Sequence, residues 1–170
     1  MGVSEHLQSF EFCSEIKFID SYTGQTMAKK NQSPSQSLCI FAKNVKQVSM
    51  FYQQALGLKI HSFDKSHDLL VGKNHEVVVH AISKAYAESI EIESPPQRRD
   101  DVALKPIFVV DDLETVRKAA KDNGGHLKPL KQAWRIRGFI VLDGCDPEGN
   151  VIQFKQPDLE PLSSVLNPNC

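Results

Sequence analysis

The 170-residue chain is long enough for one compact domain, or for two small halves that share a core. An apolar fraction of 41%, a charged fraction of 24% and a formal net charge of −1 describe an ordinary globular protein, with no basic surplus to attract nucleic acid or an anionic membrane. Apolar runs such as FIVLDG and EVVVHAI are strand-sized, well short of the ~20 residues of a membrane-spanning helix.

No secretory signal pattern opens the chain, and the expected location is the cytoplasm. Cys13, Cys39, Cys145 and Cys170 lie far apart with no C-x-x-C pair, so zinc spacing is absent and reduced thiols are expected.

Residues 1–36 read as an N-terminal extension, disordered in part: FEFCSEIKFIDSYTG alternates like a strand, but AKKNQSPSQS is a polar linker. SLCIFAKN predicts a first strand. VKQVSMFYQQAL follows with Val45, Val48, Phe51, Tyr52 and Leu56 at helical spacing, and Gly57 stands where a left-handed cap is expected. LKIHSF, HDLLVG and EVVVHAIS predict three more strands, and IESPPQRRDD reads as an exposed connection. The pattern then repeats. KPIFVVDD is a strand, LETVRKAAKDN a helix with Leu113, Val116, Ala119 and Ala120 on one face, and Gly124-Gly125 closes it. HLKPL, RGFIVLDG and NVIQFKQ complete the second set, and residues 158–170 form a tail. Two βαβββ units about 65 residues apart mark a duplicated module, not a solenoid.

The turn Asp146-Pro147-Glu148-Gly149 suits its chemistry, because proline presets φ and glycine takes a positive one. With FYQQALGLKI after the first helix and DPEGNVIQF at the last strand, the chain resembles the vicinal oxygen chelate superfamily. That group includes glyoxalase I, bleomycin-resistance proteins, extradiol dioxygenases and methylmalonyl-CoA epimerase. The resemblance covers roughly residues 37–157. It implies an α+β fold of two tandem βαβββ modules, at about 37–94 and 104–157, forming an open eight-stranded cup with the site on its inward face.

The resemblance also implies where metal ligands would stand, at the start of the first strand and the middle of the fourth in each half. Those positions hold Ser37, His80, Lys105 and Gln153. Only the imidazole is a good ligand for a first-row divalent ion, and an ammonium repels one, so no metal cofactor is expected. The same residues, turned into one concavity, suit an anion such as a carboxylate or phosphate. Trp134 offers a stacking face beside it, and Arg137 or Arg135 a guanidinium clamp. One of Glu91 and Glu93 could act as a general base, whereas His61, His67, His75 and His126 are expected in turns or at edges, and Arg98 and Arg99 in solvent.

The expected function is therefore that of a small-molecule binding protein for an anionic metabolite, with no cofactor. The alternative is a lyase, isomerase or dioxygenase using a degenerate metal site or Lys105 and His80 as acid and base. A scaffold role without a ligand is a third reading. The expected partner is a small molecule, with neither nucleic acid nor membrane, and the pattern is compatible with a homodimer.

Overall fold

A computed structural model describes residues 36–159. The expectations for residues 1–35 and 160–170, including Cys13 and Cys170, lie outside the described residues.

Strand β1 (Gln36–Ala42) runs into helix α1 (Val45–Leu56). Asn44 caps that helix by accepting the Gln47 N–H at 3.2 Å, and Gly57 ends it at φ 64°, in the left-handed region where a Cβ is disfavoured. Strands β2 (Lys59–Phe63), β3 (His67–Val71) and β4 (His75–Ala81) complete the first module. Its sheet has the order β1-β4-β3-β2, with β1 parallel to β4 and the other pairings antiparallel. A short helix α2 (Lys84–Ser89), capped by Ser83, follows between the strand EVVVHAIS and the connection IESPPQRRDD, where no element was expected.

The second module repeats the plan. Strand β5 (Ile107–Val109) leads into helix α3 (Leu113–Asp122), whose N-cap Asp112 accepts the Thr115 N–H at 2.8 Å. Then come β6 (His126–Leu127), β7 (Trp134–Ile136), β8 (Phe139–Cys145) and β9 (Val151–Pro157). Strand β5 is parallel to β9, which is antiparallel to β8.

The predicted strand HLKPL stops at Leu127. Both β6 and β7 pair antiparallel with β8, at its two ends, so they are one edge strand broken by Pro129 and a 3₁₀ turn at Leu130–Gln132. The eight expected strands therefore become nine among the described residues, and both sheets are open. Arg137, expected within a strand, instead takes φ 47° beside Gly138 at φ 75°, forming a two-residue hairpin turn between β7 and β8. His61 and His126 stand on the edge strands β2 and β6, and His67 and His75 are the first residues of β3 and β4.

One core lies on the helix side of both sheets. Val48, Phe51, Tyr52 and Ala55 of α1 pack with Leu70, Val77 and Val79, while Leu113, Val116 and Ala120 of α3 meet Leu142, Ile152 and Phe154. Tyr52 bridges the two sets, with its ring 6.0 Å from that of Phe108.

The DPEGN turn joins the modules through hydrogen bonds. Fully buried Asp146 accepts the Glu148 and Asn150 backbone N–H groups, the Asn150 amide and the Tyr52 hydroxyl. Burial pushes its pKa up, against the lowering effect of the Asn150 and Glu148 hydrogen bonds, and burial raises that of Tyr52 well above the usual phenol value, with Asp146 adding to the shift. Glu148 reaches the other module and accepts the backbone N–H groups of Lys43 at 3.0 Å and Asn44 at 2.7 Å. Helix α1 has no acidic residue in its own first turn, so the Glu148 carboxylate supplies negative charge at its N-terminus from the far end of the chain.

Candidate functional site

Side chains alternate along a strand, so the pairing register divides each sheet into a helix-facing and an open face. In the second sheet Leu142, Ile152 and Phe154 belong to the core, and the intervening residues belong to the open face. One row across that open face is Ile107, Gln153 and Asp143. The next is Val109, Lys155, Val141 and Trp134, and the third pairs Phe139 with Ile136.

Asp143 organises the first row. It is 9% exposed and accepts the Lys105 ammonium at 3.1 Å and the Gln153 amide at 2.9 Å, while the Lys128 ammonium lies 3.7 Å from its other oxygen. Burial alone would raise its pKa, but the Gln153 and Lys105 hydrogen bonds and the charges of Lys105 and Lys128 together hold it below the usual carboxylate value. Two ammonium groups face one carboxylate, so the cluster keeps a positive surplus. The lysine side chains remain 40% and 38% exposed, within reach of a ligand.

Lys105 and Gln153, both sequence candidates, are thus brought together. Trp134 lies on the same face one row away, opposite Val141, whereas Arg137 sits at the exposed hairpin tip and Arg135 pairs with Asp158 at 3.0 Å. Asp143 and Lys128 were not singled out from the sequence. The signal for Asp143 is its position directly opposite Gln153, which is legible only once the β8–β9 register is known.

Ser37 and His80 belong to the open face of the first sheet. Ser37 donates to Glu76 at 2.9 Å. His80 sets its Nδ1 against the Ala81 carbonyl at 2.8 Å, and its ring lies 5.6 Å from Phe41 and stacks on His67 at 6.1 Å. The module equivalence is offset here. Cys39 and Ile107 stand at the same distance before their N-caps, Asn44 and Asp112, and Cys39 pairs with Val78 as Ile107 pairs with Gln153. The residue equivalent to Gln153 is therefore Val78, and His80 lies two residues beyond it.

These donors do not fit a divalent metal. Ser37 is hydrogen-bonded to Glu76, Lys105 is a cation paired with Asp143, and valine fills the equivalent position on β4. Among the described residues no three His, Cys, Asp or Glu side chains gather as a ligand set.

Edges β1 and β5 are not hydrogen-bonded to each other. Between them lies a cavity of about 320 Å³, lined in part by Ser37, Glu76, Pro106 and Ile107 but by none of Lys105, Lys128, Asp143 and Gln153. A larger cleft of about 830 Å³ lies by the connecting segment and the end of α3, where Glu93, Arg117 and Lys121 line it together. Arg117 is already held by Glu114 through two hydrogen bonds, so the chemistry favours the open face of the second sheet over the larger volume. Glu93 lies in that cleft, not in the cup, and Glu91 is not among the residues around the lysine cluster.

No family model and no curated protein matches the chain. Solved structures do. A glyoxalase/bleomycin resistance protein/dioxygenase family enzyme from Burkholderia phytofirmans PsJN is similar over 74% of this chain and 99% of its own, at 19% identity and a TM-score of 0.54. A glyoxalase/bleomycin resistance protein from Albidiferax ferrireducens T118 covers 71% of this chain and 96% of its own, at 14% identity and a TM-score of 0.51. A hypothetical protein from S. aureus matches over 74% and 93%, at 18% identity and a TM-score of 0.50. The protein has the glyoxalase/bleomycin-resistance fold, as its paired modules and open sheets define it. At these identities the likeness is one of fold. Among the described residues no helix is long and apolar enough to cross a membrane.

Proposed function

We propose that the protein binds a small anionic metabolite on the open face of its second sheet. The observation that carries this reading is the convergence of Lys105 and Lys128 on Asp143 and Gln153. Two half-exposed ammonium groups sharing one carboxylate leave donor capacity for a second anion. Gln153 spends one amide hydrogen on Asp143 and has a second to offer.

The test is a calorimetric titration of the full chain with carboxylated and phosphorylated small molecules. Binding should weaken at least ten-fold in Lys105→Ala and Lys128→Ala, and should weaken further with added salt, as expected for a partly exposed ion contact. Binding that both alanine variants leave unchanged would exclude this site.

A further inference from the structure

We infer that the ligand of this face is an amphipathic carboxylate, with an apolar or aromatic body joined to the charged group by a short spacer. The inference rests on the anion reading above and adds what the rest of the ligand must be.

Apolar side chains at both edges of this face are partly uncovered, although Val141 between them is buried. Ile107 is 48% exposed, Val109 46%, Trp134 37% and Ile136 50%, all on the face that carries Lys105, Asp143 and Gln153. Phe139 adds a ring whose one side is taken by the Lys155 ammonium, 4.5 Å from its centroid. The Lys155 stem then lies along the sheet with its charge drawn toward Phe139, extending the apolar surface between Val109 and Val141. A sugar or a bare inorganic anion would leave these side chains in water. A hydrocarbon body would cover them.

The spacing follows from strand geometry. Asp143 and Val141 are two residues apart on β8, which is about 7 Å at ~3.3 Å per residue. Trp134 is directly opposite Val141, on the neighbouring strand. A carboxylate held by Lys105 and Lys128 therefore places its body on Trp134 and Ile136, which flank the buried Val141, across a spacer of two or three methylenes. Charge complementarity at one end and an aromatic platform at the other fix the direction of the ligand.

Trp134 is the only tryptophan of the chain and so reports directly on the face. Its fluorescence is followed as the full chain is titrated with acetate, hexanoate, 4-phenylbutyrate and gluconate at one ionic strength, and calorimetry covers variants lacking the indole. Affinity should rise by about 4-fold for each methylene that reaches the apolar rows, with 4-phenylbutyrate above hexanoate and gluconate no better than acetate. Trp134→Ala should lose at least ten-fold for 4-phenylbutyrate and leave acetate unchanged, Trp134→Phe should recover most of the loss, and Lys105→Ala should weaken every carboxylate alike.

The failures are distinguishable. If carboxylates bind and need Lys105 but gain nothing from an apolar body, this inference falls and the anion reading stands. If no carboxylate or phosphate binds, both fall. If sedimentation shows a dimer that Ile136→Asp dissociates and 4-phenylbutyrate has no affinity, the face is a subunit interface and the inference is overturned.

Discussion

Removing the Glu148 carboxylate should uncouple the start of α1 from the second module. Glu148 is 8% exposed and accepts two backbone N–H groups, from Lys43 at 3.0 Å and Asn44 at 2.7 Å. A hydrogen bond to a charged group contributes about 1.5–3 kcal/mol. Both donors are only part-buried, so water recovers some of the loss and the lower end of that range applies to each. Glu148→Ala should therefore cost roughly 3 kcal/mol. Glu148→Gln keeps one acceptor oxygen and should cost about half as much. The assay is urea unfolding, read as a shift in midpoint at constant slope, with a matching fall in Tm of about 2–4 °C per kcal/mol. A loss below about 1 kcal/mol for Glu148→Ala would refute the argument, because it would mean that water satisfies both donors without cost. Equal losses for Gln and Ala would contradict it too, since the hydrogen bonds and not merely the charge are held responsible.

Three further predictions concern the same turn and the lysine cluster. Gly149 takes φ 81°, and a Cβ there would collide with the Gln97 carbonyl, so Gly149→Ala should cost about 1–3 kcal/mol or more in the same urea assay. Asp143→Asn removes the charge that competes for the two lysines. An anion on their far side would lie about 6 Å from Asp143, where the repulsion is about 0.7 kcal/mol in water and about 2.8 at an effective dielectric of 20. The exposure of both lysines favours the lower figure, so carboxylate binding should strengthen by roughly 3-fold, and a weakening by calorimetry would show that Asp143 positions the lysines instead. Because the Asp143 pKa is lower in the folded protein than in the unfolded chain, its contribution to stability is fully present above the unfolded value of ~3.9 and is lost as pH falls through the folded value. The urea midpoint of the parent should accordingly fall further than that of Asp143→Asn as pH drops below about 4.

What the sequence reveals depends on whether the signal is local. Helix α1 is legible because Val48, Phe51 and Tyr52 recur at helical spacing ahead of the Gly57 cap, whereas the Asn44 cap shows only in the structure. The broken β6–β7 edge is not, because HLKPLKQAWRI interrupts its alternation at Pro129, and only pairing with β8 shows that the two pieces continue one strand. Helix α2 escaped notice because its six residues bury none of their side chains and so carry no amphipathic pattern. At the site, Lys105 and Gln153 follow from a positional resemblance, and the structure places both on Asp143. Asp143 itself looks like a strand-end aspartate in VLDG, and its partners stand 38 and 10 residues away in the chain. His80 shows the limit of counting: a two-residue offset between modules leaves it on the right face but puts valine in the equivalent place. Glu148 is the extreme case, since its acceptor role depends on Lys43 and Asn44, more than a hundred residues earlier.

The most direct test of anion binding at the lysine cluster is a calorimetric titration of the parent and of the Lys105→Ala/Lys128→Ala double variant with 4-phenylbutyrate at low and high salt. The parent should bind at low salt and more weakly at high salt, and the double variant should lose about 30-fold or more, roughly 2 kcal/mol, while keeping its thermal transition. A double variant that binds as the parent does, or a parent that binds no carboxylate or phosphate at all, would contradict the account.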